Sequence, residues 1–169
     1  MAGLLGGNLF GRLALHPSVT EIRDETERGK VVNAAWRRYG TINTLSLAAI
    51  GAGWVGARAE EAANRNLSPT ERQLARAKDA LVGAVALTGL ASAVEGMRFA
   101  RAAPQGAVPL TDGDHAAPSA SDQAKKMKQR LNALGLASLV ADAGLVAVNA
   151  ALAQQNFRRP PARRFFRRV

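Results

Sequence analysis

LNALGLASLVADAGLVAVNAALAQQNF, Leu131–Phe157, runs for 27 residues with a single charge, Asp142. A water-soluble helix shows an apolar stripe opposite a polar face, whereas this stretch is apolar around its whole circumference. A helix that crosses the ~30 Å hydrocarbon layer of a bilayer needs about 20 such residues. Two further stretches have the same character: the 17 residues Thr41–Ala57 and the 15 residues Ala80–Val94. All three are rich in Ala and Gly and have arginines near their edges. They read as membrane-spanning helices of modest hydrophobicity.

Working outward, each stretch is preceded by a serine that can start a helix. Ser68-Pro69-Thr70-Glu71 is the strongest of these signals. The serine oxygen can accept from the amide three residues on, Glu71 can reach back, and proline at the first helical position loses no needed hydrogen bond. Ser18-Val19-Thr20-Glu21 has the same spacing, and Ser119-Ala120-Ser121-Asp122 is a weaker version. The expected helices are Val19–Asn64, Pro69–Ala102 and Ser121–Gln155, with Gly29 and Gly40 as possible breaks in the first. Met1–Leu15, Gly-rich and ended by Pro17, reads as a short additional helix. It does not fit a signal peptide, because no basic residue precedes its apolar run and Arg12 lies inside it. Between the second and third long helices, residues 103–119 contain Pro104, Pro109, Pro118, Gly106 and Gly113, which predicts an irregular, mobile loop.

The expected architecture is therefore an all-α membrane bundle of four helices, three long and one short and N-terminal. Residues 1–157 form the helical membrane domain, with spans at about 2–15, 39–57, 79–97 and 131–153, and residues 158–169 form a basic tail. The formal net charge of +10 suits anionic lipid, nucleic acid or the cytoplasmic anchoring of membrane helices. With three main spans, Lys and Arg divide 12 to 11 between the two sides, so totals do not orient the chain. Density does: Arg158, Arg159, Arg163, Arg164, Arg167 and Arg168 follow the last span immediately, which points to a cytoplasmic tail in a multi-pass inner-membrane protein. Interleaved with Phe165 and Phe166, these arginines suit anionic lipid headgroups. Directly after an apolar span, that reading outweighs nucleic acid.

Four polar residues inside or beside the spans are the candidate site. Asp142 lies mid-span and Glu95 near the end of its stretch, three residues before Arg98. An ionisable group within a membrane is costly and is by default a functional candidate. For Glu95 the simpler role is an intrahelical pair with Arg98. For Asp142 it is an interhelical hydrogen bond to Asn43, Asn149 or a serine. Asn33, Asn43, Asn132 and Asn149 suit interhelical hydrogen bonds, and Trp36, Tyr39 and Trp54 suit anchoring at the lipid interface. Small residues at four-residue spacing (Ala48, Ala52, Gly56; Thr88, Ser92, Gly96; Ala143, Ala147, Ala151) suit close helix packing within the bundle, or contact with a second chain.

No catalytic, cofactor or metal site is spelled out. With no cysteine there is no thiolate ligand or Cys nucleophile. Gly51, Gly53 and Gly56 match the dinucleotide fingerprint in spacing, but a helical run precedes them where the chemistry needs a strand. His16, beside Pro17, reads as a solvated turn, and the other histidine, His115, lies far along the chain.

The ordered series Gly6-Gly7-Asn8-Leu9-Phe10, His16-Pro17, Glu27-Arg28-Gly29, Asn33 and Trp36, followed by the three later spans, resembles small four-helix bacterial membrane proteins. These include uncharacterised actinobacterial ones and, more distantly, the anthrone-oxygenase-like group. The resemblance implies a four-helix membrane fold and carries no functional residue with it. The expected function is that of a non-enzymatic structural or accessory subunit without cofactor, packing through small-residue faces and forming homo- or hetero-oligomers. The alternatives are a small proton- or ion-coupled transporter using Asp142 and Glu95, and a soluble basic helical bundle that binds nucleic acid or a membrane surface.

Overall fold

A computed structural model describes residues 1–158, with side chains to Phe157. The described residues form four helices and no strand. Helix α1 spans residues 2–18 as an α-helix Ala2–Phe10, a wide π turn Gly11–Leu15 and a last turn His16–Ser18. Helix α2 is Glu25–Ala59, α3 is Pro69–Ala100 and α4 is Asp122–Arg158. The fold class expected from the sequence, all-α with three long helices and one short, is the one observed.

Two of the three start signals mark a helix start, Ser68 as read and the third through Ser121 rather than Ser119. Ser68 Oγ accepts from the Glu71 amide at 3.3 Å and Glu71 Oε2 accepts from the Ser68 amide at 2.8 Å, a reciprocal capping box. Ser121 Oγ accepts from the Ala124 amide at 3.2 Å and opens α4. The Ser18 signal does not act. Residues Val19–Glu21 form a single tight turn, and Asp24 caps α2 instead, accepting from the Thr26 and Glu27 amides at 2.8 and 2.9 Å. An Asp at this position satisfies two orphan amides and favours the positive end of the helix dipole.

Neither Gly29 nor Gly40 breaks α2, which runs unbroken through both. Gly29 serves another purpose. A Cβ there would overlap the backbone oxygen of Val108, so glycine lets the 103–121 segment lie directly on the helix.

That segment corrects the expectation of a mobile loop. Val108, Leu110 and Ala117 are fully buried, and the first two make one apolar core with Val19, Val32, Phe99, Ala120 and Ala124. Its backbone is tied down as well: the Leu110 amide donates to Glu25 O at 3.0 Å, Gly113 to His16 O at 3.1 Å, and Ala117 to Pro109 O at 2.9 Å. The prolines and glycines shape a folded cap, with Gln105 and Gly106 at positive φ. We call this end of the molecule the head.

The second core lies within the bundle: Leu4, Val85, Ala141 and Leu145, flanked by Leu47, Ile50, Leu81 and Val82. Helices α3 and α4 pack against each other most extensively, while α1 lies against α2 and α4. Gly7 and Gly11, one turn apart on α1, face the rings of Tyr39 and Trp36. The glycines of the first helix thus permit close approach to two aromatic rings of α2.

Two of the small-residue rows do not face the bundle interior. Ala48, Ala52 and Gly56 are exposed, as are Ala143 and Ala147. Contacts between the helices run instead through larger side chains set against glycines, such as Leu81 near Gly144 and Leu47 near Gly89.

Candidate functional site

Polar and ionisable side chains gather inside the molecule at four levels. The first lies in the head. His16 is buried, and its Nδ1 donates to Asp114 Oδ1 at 2.9 Å, because its Nε2 accepts from the Trp36 indole N–H at 3.0 Å. The indole has no lone pair to accept with, so this pairing sets the tautomer. Asn132 donates to the Asp114 backbone oxygen at 2.6 Å and holds the loop from the α4 side. Lys128 is also buried in the head, 6 % exposed. Burial pushes its amine down to about 8, against the partial support of Asp114 and Asp112. Burial, reinforced by Lys128, likewise holds the His16 imidazole below its usual value, with Asp114 opposing.

Chemically, this cluster fastens the loop to α1 and α2. Both His16 ring nitrogens are engaged, so the lone pair that a general base would offer is already spent on the indole. Arg28 adds a second clasp, its Nε donating to Ile22 O and its Nη1 to Thr111 O, both at 2.6 Å. The solvated turn expected at His16 is therefore a buried anchor.

Next toward the bundle lies Glu95, buried, with its carboxylate 3.5 Å from Arg98 and 3.7 Å from Arg130. The intrahelical pair read from sequence is present, and α4 contributes a second guanidinium. Deeper still, Asp142 is 3 % exposed and accepts from Asn8 Nδ2 at 2.8 Å. Its partner is thus the asparagine of α1 rather than Asn43, Asn149 or a serine. Asn43 is half-buried elsewhere on α2. Asp142 follows Arg130, the α4 partner of Glu95, by twelve residues. At ~1.5 Å per residue the two acids therefore sit roughly 18 Å apart along the bundle.

The fourth cluster is at the end opposite the head. Asn149 Oδ1 accepts from Lys78 Nζ at 2.8 Å, and that ammonium also lies 4.1 Å from the centre of the Trp54 ring. The Trp54 indole donates to Asp79 Oδ1 at 2.8 Å, and Arg58 pairs with Asp79 Oδ2 at 3.1 Å. Trp36, Tyr39 and Trp54 all turn their polar atoms inward, Tyr39 onto the Gly3 and Leu4 carbonyls. These bonds join α2 to α1 and α3.

Sequence reasoning found Asp142, Glu95 and Asn149, placed His16 in solvent, and missed Lys78 and Lys128. Nothing in a lone lysine announces burial; the one available signal was the run Thr111-Asp112-Gly113-Asp114-His115, an acidic turn able to receive a histidine. Among the described residues no three His, Asp or Glu side chains gather as a metal site. The arginines of the tail, Arg159, Arg163, Arg164, Arg167 and Arg168, lie outside the described residues, as does the Arg158 side chain.

Comparison with known proteins gives no relative. No family model, no curated protein and no solved structure matches this chain.

Two helices among the described residues, Pro69–Ala100 and Asp122–Phe157, are long and apolar enough to cross a membrane. Only 17 % of the most apolar window in each is buried. Large apolar side chains point outward instead: Leu87 is 70 % exposed, Val140 66 % and Leu45 67 %.

Proposed function

We propose that the chain is a multi-pass membrane protein, a non-enzymatic structural or accessory subunit. One observation carries this reading. Large apolar side chains face outward along the uncharged stretches of α2, α3 and α4 while the charged and amide side chains Asp142, Glu95, Lys78 and Asn149 point inward. Water favours the reverse arrangement, and lipid favours this one. Asn8 meets Asp142, Arg98 and Arg130 flank Glu95, and Asn149 meets Lys78, contacts that support packing rather than turnover. The resemblance to small four-helix bacterial membrane proteins fits the same picture. The arginine-dense tail favours an inner-membrane location with residues 158–169 in the cytoplasm, and the outward rows Ala48–Gly56 and Ala143–Ala147 offer faces for a partner chain.

A second reading rests on Asp142, a buried carboxylate with Asn8 as its hydrogen-bond donor and, among the described residues, no cationic side chain within 4 Å. Such a group could carry a proton in a coupled transporter. The ~18 Å separation from Glu95 argues against a relay between the two acids. Fractionation tests the main proposal: the chain should sediment with membranes, resist carbonate extraction and dissolve only in detergent. Recovery in a detergent-free high-speed supernatant would overturn it and favour the soluble basic bundle. Reconstituted in liposomes, wild type and Asp142→Asn should be equally silent in proton and cation flux. Flux in wild type that Asp142→Asn abolishes would establish the transporter.

A further inference from the structure

Between α2 and α3, at the end away from the head, a groove of 430 Å³ opens beside the start of the uncharged part of α3. Its volume falls in the ~300–1,000 Å³ range of small-ligand sites. The α2 wall is made of Ala49, Gly53 and Ala57, one helical turn apart, together with Ile50 and Trp54. A side chain built at Gly53 meets nothing within 4 Å, so the wall looks onto open space. Lys78 lies at one end of the groove, and Met1 at the start of α1 also lines it.

Lys78 is the unusual residue here. It is 8 % exposed, yet no carboxylate lies within 4 Å of its ammonium among the described residues. The neighbouring Asp79 is already occupied on both oxygens, by Trp54 and Arg58. Lys78 therefore rests on one amide oxygen and one ring face. A buried ammonium with three N–H groups and no counter-ion is expensive, and an anion in the groove removes most of that cost. A lysine presents a compact point charge suited to phosphate.

We propose that this groove binds one anionic phospholipid, phosphatidylglycerol in character, with its phosphate on Lys78 and an acyl chain along Ala49, Gly53 and Ala57. The inference rests on the membrane reading above. Two features favour a lipid over a polypeptide occupant. Lys78 stands two residues before the uncharged stretch that begins at Ala80, the depth at which lipid phosphates lie. The flanking outer surface of α2 is apolar, with Val55 69 % exposed. The tail follows α4 at this same end, so the site faces the leaflet that holds most anionic lipid if the tail is cytoplasmic.

The test is native mass spectrometry of the full chain, extracted in mild detergent and offered phosphatidylglycerol or phosphatidylcholine. Wild type should retain one phosphatidylglycerol in preference to phosphatidylcholine. Lys78→Gln should lower that retention about five- to tenfold, the scale of one basic residue at a lipid surface. Lys78→Arg should largely restore it. Gly53→Leu fills the groove without touching the ammonium and should also expel the lipid, so the outcome does not hinge on one variant's folding. Equal retention of both lipids overturns the proposal, as does full retention by both Lys78→Gln and Gly53→Leu, or a second copy of the chain in place of lipid. If the chain never enters the membrane fraction, the membrane reading and the site fall together; if it does and the lipids are not distinguished, the site alone falls.

Discussion

At the scale of single residues, the head is held by groups whose charge states matter. Lys128 illustrates the balance. Its folded-state value of about 8 lies below the ordinary lysine value of 10.5, so the fold disfavours the charged form. The linkage sign follows directly. Above pH 10.5 the amine is neutral in both states and costs nothing; as pH falls toward 8 the unfolded chain takes up the proton first, and below 8 the full penalty applies. A shift of this size corresponds to about 3 kcal/mol as an upper bound. Lys128→Met should therefore raise thermal stability in detergent at pH 7, with a gain that shrinks between pH 8 and 10.5. A variant less stable than wild type at pH 7 would mean that the amine has a stabilising anion, with Asp114 and Asp112 the nearest candidates. His16 follows the same sign in its own range: its contribution is complete above the ordinary histidine value of 6.5 and declines as acid protonates the ring and breaks the indole hydrogen bond.

At the scale of elements, a helix surface and a loop were made for each other at Gly29. Alanine is the better helix former by about 1 kcal/mol, which alone would stabilise α2. At Gly29 the added methyl would strike the Val108 carbonyl, a backbone atom that cannot swing aside. Overpacking of that kind costs roughly 1–3 kcal/mol, so Gly29→Ala should lower the melting temperature. Gly40→Ala, in the same helix and facing open space, should hold or raise it. A pair of melts in one detergent decides the contrast. The same pair shows what sequence can convey. Continuous apolarity and the Ser68 box specified the helices, because those signals act within a turn or two of the residues that carry them. The loop expectation fails because Pro and Gly mark the end of a helix equally well in a solvated linker and in a folded cap; the difference lies in Val108 and Leu110 finding Val19 and Val32, far away in the chain. Asp142 was visible as a lone charge, but its partner Asn8 was not, since tertiary pairing between α1 and α4 leaves no local trace.

At the scale of the whole molecule, the exposed apolar side chains along the uncharged stretches make a prediction that separates lipid from water. Leu87, 70 % exposed near the middle of α3, touches little of the protein. In an aqueous bundle Leu87→Arg would be almost neutral, within about 0.5 kcal/mol. In a bilayer the same change places a guanidinium at mid-depth and costs roughly 3 kcal/mol of insertion free energy. A sharp fall in the carbonate-resistant membrane fraction is the expected result; an unchanged, well-folded variant would count against lipid as the solvent. The long-range pairing inside the molecule also dictates an order of events at the ribosome. Asn8 must wait for Asp142, and His16 for Asp114, 134 and 98 residues later. Helix α1 therefore gains its polar partners only after the cap and α4 have been made.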